Sequence, residues 1–271
     1  MTTSRLGNPN TASESLFERY LIQNAYTDWT HEQPIEGKRT TPDYRLRHDG
    51  TDLFFDVKEF QTSPLPLGFS MFDPYRPIRE KINQAARQFK QYKEYSCSLV
   101  LSNPQLAFVP LDSPDTMVGT MLGDVAFQVQ IGGPPDEENP PPVQIFTERG
   151  KMVNRQRQEA QNTTISAVIV LSIYPLRQKR ITLERSVREK ALGRRLTSEE
   201  WEQVVDSCVV SEEHQPVRVA VYENPYARMP LSRELFSGPF DERYGSDGDD
   251  LCWIYVGEDL RRLEDELTGK C

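Results

Sequence analysis

Histidine is scarce in this chain of 271 residues: there are three, His31, His48 and His214. Each stands beside a glutamate or aspartate in a polar context, and none has the H-x-x-x-H spacing of a helical metal pair. All three are expected to face solvent. Cysteine is nearly as rare, and Cys97, Cys208, Cys252 and Cys271 contain no C-x-x-C pair, which excludes a zinc knuckle and suggests no disulfide framework. Cys97 and Cys252 fall in apolar runs (SCSLVL, LCWIYV), where a free thiol behaves as a small hydrophobe. Reduced thiols and a cytoplasmic setting follow as expectations. Long apolar runs are missing too: the longest, around 165–173, is interrupted by Ser166 and Ser172 and falls far short of the roughly 18 residues a membrane helix needs. No membrane span is expected. Neither G-x-x-x-x-G-K-[ST] nor G-x-S-x-G occurs, so a phosphate-cradling loop and a nucleophile elbow are both excluded.

What is present is enough apolar material, 37% of residues, to bury a real core. Residues 1–13 read as a polar, flexible tail without the apolar centre of a secretory signal, and 14–271 as a single α/β domain. Residues 14–25 place Leu16 and Tyr20 at helical spacing behind Ser13 as a possible cap. Two β-like runs, 43–47 and 52–60, flank Asp49-Gly50, a strong hairpin signal. After a proline-broken stretch, Ile78, Ile82, Ala85, Ala86 and Phe89 mark the inner face of a long helix, and 97–101 reads as a buried strand. Residues 112–130 fit a helix or a strand pair, 149–161 fit a helix, and 165–173 is a β-branched central strand. Residues 176–214 form a charged, mainly helical insertion, followed by strands at 217–222 and 251–256 and a terminal helix at 258–267.

The informative chemistry lies on the hairpin. Side chains alternate along a strand, so Asp56 and Lys58 share one face with Phe54 and Phe60, while Phe55 and Val57 point the other way. A carboxylate and an ammonium held among so many apolar neighbours are costly to bury without a purpose. The plain alternatives are an edge strand whose charges are solvated, or a structural salt bridge to Asp43. Glu59 projects from the opposite face and reads as structural, or as a partner for a helix there.

Pro42-Asp43, followed across a tight turn by Asp56-Val57-Lys58, resembles the restriction-endonuclease-like PD-(D/E)xK superfamily of metal-dependent phosphodiesterases. The order helix, hairpin, helix, strand over roughly residues 14 to 102 agrees with that family's core, and Gln88 and Tyr92 look like the Q-x-x-x-Y helix motif of its helicase-associated exonuclease branch. The resemblance implies a mixed central sheet flanked by helices. It implies Mg²⁺, with Mn²⁺ as a substitute, held by Asp43, Asp56 and the Val57 carbonyl, and with Glu18 where many members carry a further acidic residue. Lys58 would serve the attacking water, and Glu18 and Gln88 would assist. DNA is the implied substrate ahead of RNA, with a homodimer or a partner protein as a further possibility. A catalytically inactive module that keeps this fold and binds nucleic acid or a protein is the alternative.

Lys81, Gln84 and Gln88 share a helix face that points either at such a site or into solvent, and Tyr92 extends it. The net charge of −9 is unevenly spread. Six basic residues face two glutamates over 76–94, and eight face two over 177–195, whereas 241–266 holds ten acidic residues against three basic. The two basic stretches could hold phosphates, although solvated helix faces explain them as well. Asp247, Asp249 and Asp250 resemble a calcium loop only superficially, because the distal glutamate is missing, and a surface turn is the better reading.

Overall fold

In the computed structural model, described here for residues 4–5, 11–62, 73–105, 107, 109–123, 125–128, 143–146, 150–154, 159–211, 215–247 and 250–268, a mixed sheet carries helices on both faces. The chain runs through β1 (Ser4–Arg5), α1 (Ala12–Gln23), β2 (Trp29–His31), β3 (Tyr44–His48), β4 (Thr51–Glu59), α2 (Arg76–Gln88) and β5 (Ser96–Ser102). It continues through α3 (Pro114–Leu122), β6 (Val125–Gln128), β7 (Val143–Phe146), β8 (Val153–Asn154), β9 (Glu159–Ala160) and β10 (Ile165–Ile173). Then come α4 (Leu176–Leu192), α5 (Ser198–Ser207), β11 (Val217–Glu223), β12 (Glu242–Asp247), β13 (Asp250–Val256) and α6 (Glu258–Thr268). Nine strands form one sheet in the order β1-β2-β3-β4-β5-β10-β11-β12-β13, with β4, β5 and β10 parallel at its centre.

The centre reads as the buried part because its strands are apolar on both faces, as strands covered on two sides must be. Phe54, Leu99, Leu101 and Val170 project toward α2 and α3, where Ile78, Ile82, Phe89 and Met117 cover them. Phe55, Val57, Val100 and Ile169 project the other way, onto Phe17, Tyr20 and Leu21 of α1 and onto Leu235 and Phe236. The hairpin between β3 and β4 turns at Asp49 and Gly50, both with positive φ, the backbone that an Asp-Gly turn supplies most easily.

Several expectations shift. Helix α1 begins two residues early because Thr11, not Ser13, is the cap: Thr11 and Glu14 form a reciprocal capping box, while the Ser13 hydroxyl donates to Glu59 across the α1 face of β4. The stretch read as a tail therefore contributes the start of α1, together with the edge strand β1, which pairs with β2. Residues 112–130 contain both α3 and β6. The described parts of 149–161, where a helix is expected, hold no helix and form the short paired strands β8 and β9. A strand at 242–247, β12, was not expected and pairs with β13, while the Asp249 turn and Cys271 lie outside the described residues. His31 is buried, only 3% exposed, with its ring against Tyr44 and the Glu14 carboxylate 3.7 Å away, so it does not face solvent. Among the described residues no helix is long and apolar enough to cross a membrane.

Candidate active site at the end of the hairpin

Strand β3 stops two residues short of the position opposite Val57. Tyr44 pairs with Phe55, and beyond it no strand among the described residues lies beside the outer edge of β4. The next amide on that edge belongs to Val57, and the Asp43 carboxylate bends over to accept from it at 2.7 Å. An amide left without a ladder partner is thus satisfied by a side chain. Phe60 donates its amide to Ser102 of β5, so the even-numbered backbone groups of β4 point at β5 and the odd-numbered ones point outward. The Val57 carbonyl therefore opens on the same edge as Asp43.

Asp56 and Lys58 project together to the α2 face, as their spacing predicts. The Lys58 ammonium lies 2.5 Å from Asp56 Oδ1 and 3.5 Å from Asp43 Oδ2, so three charged groups meet at one point. Their exposures differ: Asp56 is 0% exposed, Asp43 16% and Lys58 24%. A protected carboxylate thus sits behind a lysine and an aspartate that reach solvent. Asp56 Oδ2 is buried without any hydrogen-bond partner, an arrangement that costs about 1–3 kcal/mol for an acceptor of this kind. Burial pushes the Asp56 carboxyl up to about 7, with the negative charge of Asp43 adding to it and Lys58 pulling back. For Lys58, burial pulls downward, but the two carboxylates outweigh it and hold the ammonium above the ordinary lysine range.

The segment leading into Asp43 is fixed by the end of α2. Gln88 Nε2 donates to the Thr41 carbonyl at 3.1 Å, the Thr40 hydroxyl donates to the Gln88 carbonyl at 2.9 Å, and the Tyr92 hydroxyl donates to the Thr40 carbonyl. Lys38 adds bonds to the Gln91 carbonyl and the Glu94 carboxylate, both at 2.5 Å. Gln88 therefore does not reach toward an ion or a phosphate; it holds the backbone two residues before Asp43. Tyr92 is fully buried against Phe54, as expected of a tyrosine on such a helix. At the other end of the same helix face, the Lys81 ammonium lies 5.8 Å from the Phe60 ring centre, so the face runs along the site.

Glu18 is placed differently from expectation. It lies on α1, which packs on the face of β4 that carries Phe55 and Val57, and its carboxylate accepts from the Tyr44 hydroxyl at 2.9 Å. Tyr44 and Asp43 are neighbours whose side chains diverge, so Glu18 orients the strand rather than joining the trio. Glu59 accepts from Ser13 and Gln105, which fits its reading as a helix-facing partner. The ladder at 38–41 escaped sequence reasoning because most of its acceptors are backbone carbonyls, which leave no trace in residue identity.

A second group of possible ligands, His48, Asp49 and Glu234, brings three ligand atoms within 4.8 Å of one another at the opposite end of the hairpin. Asp49 and Glu234 are exposed, and His48 Nε2 already lies 3.5 Å from Asp49. The basic stretch on α4 is partly neutralised in place: Arg185 pairs with Glu189, Arg188 with Glu184, and Arg194 with Glu200. No protein-family model, no curated protein and no solved structure matches this chain.

Proposed function

We propose that the chain is a Mg²⁺-dependent nuclease with a restriction-endonuclease-like core, hydrolysing phosphodiester bonds of DNA at Asp43, Asp56 and Lys58. One observation carries the reading: a wholly buried carboxylate, Asp56, keeps one oxygen unpartnered beside a second carboxylate and a lysine. A protein that needed only a salt bridge would gain nothing from leaving that oxygen bare.

The donors fit a hard divalent cation. Two carboxylates and the Val57 carbonyl offer oxygen alone, the set that Mg²⁺ or Mn²⁺ prefers over softer metals. Asp56 Oδ2 and Asp43 would hold the ion, and Val57 would add its carbonyl. When bound, the cation would neutralise phosphate charge and acidify a water. Everything else is the work of side chains described above. Lys58 stands between the two carboxylates and solvent, where its ammonium can orient the attacking water and balance the charge that develops on the phosphate. Gln88 and Tyr92 act as positioning residues by fixing Thr40 and Thr41, and so the approach of Asp43. Glu18 orients Tyr44 from the opposite face. DNA as substrate follows from the family resemblance, and free Cys97 and Cys208 suit a reducing, cytoplasmic setting.

The close Lys58–Asp56 pair favours a second reading, a non-catalytic module in which the lysine merely neutralises the aspartate. A cleavage assay on linear, nicked, branched and single-stranded DNA with Mg²⁺ or Mn²⁺ separates the two. Metal-dependent cleavage that disappears in Asp56→Ala and Lys58→Ala supports the nuclease. Cleavage that survives both substitutions removes the site assignment, and no cleavage on any substrate favours the module.

A further inference from the structure

The carboxyl ends of the three parallel strands carry, besides the trio, a cavity of about 430 Å³ that the proposed chemistry does not use. Its size is that of a small-molecule site, and crevices beyond the carboxyl ends of parallel strands are where open α/β sheets tend to bind ligands. Leu16, Val109, Leu111, Val170 and Ile173 give it apolar walls. Its polar side chains are few: Ser102 and Ser172 at the strand ends, Asn103, whose amide is bonded to the Ala107 and Val109 backbone, and Arg218 and Asp112 at its margin. Apolar walls with a donor and an acceptor at the rim suit a heteroatom-edged ring.

The register sets this cavity beside the trio. Lys58 stands level with Leu101 of β5, and Leu101 with Val170 of β10. All three side chains project to the α2 face, so the cavity floor lies two strand spacings from Lys58, roughly 10 Å. That is of the order a single nucleotide spans between its phosphate and the far edge of its base. Arg218 projects to the same face from β11 and is held only at long range: Nε to Ser172 Oγ at 3.4 Å and Nη1 to Glu242 at 3.6 Å, with the Tyr174 ring beneath. A guanidinium on such long contacts can turn its donors to a ring acceptor without breaking a strong bond. Asp112, exposed at the rim, offers the complementary acceptor.

Resting on the nuclease reading, we propose that this cavity receives one unpaired nucleobase of the strand whose phosphate lies at Lys58. Apolar side chains would sandwich the ring, and Arg218 and Asp112 would meet its polar edge. A base stacked inside a duplex cannot enter, so the substrate class is single-stranded DNA, or a duplex with an unpaired or extruded nucleotide at the cut.

Binding and cleavage are read separately on the full chain. Fluorescence anisotropy with labelled single-stranded oligonucleotides, intact or carrying one abasic position scanned along the strand, tests the cavity without added metal. One abasic position is expected to weaken wild-type binding about tenfold, the scale of a single base's stacking. Val109→Trp, which fills the cavity from a half-buried wall, and Arg218→Met should weaken binding of the intact strand similarly and lose the discrimination. Melting curves confirm that each variant is folded. A wild type that binds intact and abasic strands alike at every position, as a pocket for a small apolar metabolite would leave it, overturns the proposal. Discrimination without any metal-dependent cleavage keeps the base pocket and removes the nuclease reading; cleavage indifferent to the abasic position does the reverse.

Discussion

Two buried carboxylates in this molecule have opposite surroundings. Asp241, 1% exposed, accepts from the Val219 amide at 2.9 Å, the Gly238 amide at 2.7 Å and the Tyr20 hydroxyl. Nearby Arg243, equally buried, donates to Glu223 at 2.9 Å and to the Ser232 and Leu235 carbonyls at 3.1 and 2.6 Å. Every oxygen of Asp241 is used, and together these bonds tie α1, β11 and the 231–241 loop into one unit. Asp56 is as deeply buried, yet it meets Lys58 at one oxygen and the other is bare, with the Asp43 carboxylate beside the pair. Burial of charge therefore does not by itself set the two carboxylates apart; the unfilled oxygen does.

The comparison can be broken most forcefully at Asp241. Asp241→Ala strands two amides and a hydroxyl, so it should lower unfolding free energy by about 3–5 kcal/mol in urea titration. Asp56→Asn should do the reverse in kind: no loss of stability at neutral pH, but cleavage reduced at least about 100-fold, the scale of losing one well-placed polar group in an active site. If Asp56→Asn unfolds the protein and Asp241→Ala does not, the distinction drawn between the two carboxylates is wrong. Gln88→Leu keeps the bulk of the side chain but removes the bond to Thr41, and should cost about 1 kcal/mol in stability. Isothermal titration with Mn²⁺ should show weakened affinity in that variant, and Gln88→Glu, which can accept but not donate while ionised, should not restore it.

A pH dependence sharpens the same contrast. Asp56 is raised above the ordinary aspartate value of about 4 to about 7 in the folded protein. Between those limits the folded state holds a proton that the unfolded state has lost. Metal-free stability should accordingly fall as pH rises through this window and then level off, and Asp56→Asn should flatten that slope. Thermal melts of both proteins from pH 4 to 8 check the sign. Mn²⁺ affinity should move the other way, strengthening as pH approaches 7, because the cation competes with the same proton.

Local signals carried much of this fold into the sequence. Asp49-Gly50 announced the turn, and the Phe54 to Phe60 alternation assigned Asp56 and Lys58 to one face and Glu59 to the other, as found. The apolar run of 165–173 read correctly as a central strand. What failed was non-local. The spacing of Glu18 says that it lies on a helix but not which face of the sheet that helix covers. His31 reads as polar because Glu32 is beside it, whereas its burial comes from Tyr44, thirteen residues away. Gln88 has the residue type of a ligand-facing group, and only the arrival of Thr41 shows its donor to be occupied. Residues 149–161 are polar enough for a helix, yet their described parts pair as two short strands, a choice that residue propensity does not decide.

The long excursion of α4 and α5 leaves the sheet at Ile173 and returns at Val217, and these two residues sit directly opposite each other in the β10–β11 ladder. Topologically it is a hairpin loop grown to more than forty residues, and a short turn could close the same two strands. Its root is nonetheless anchored, because Tyr174 and Leu176 form a small core with Leu260 and Leu263 of α6. The tip of the excursion is thus open to replacement by other sequences over evolutionary time, while its first turn acts as a clasp on the C-terminal helix.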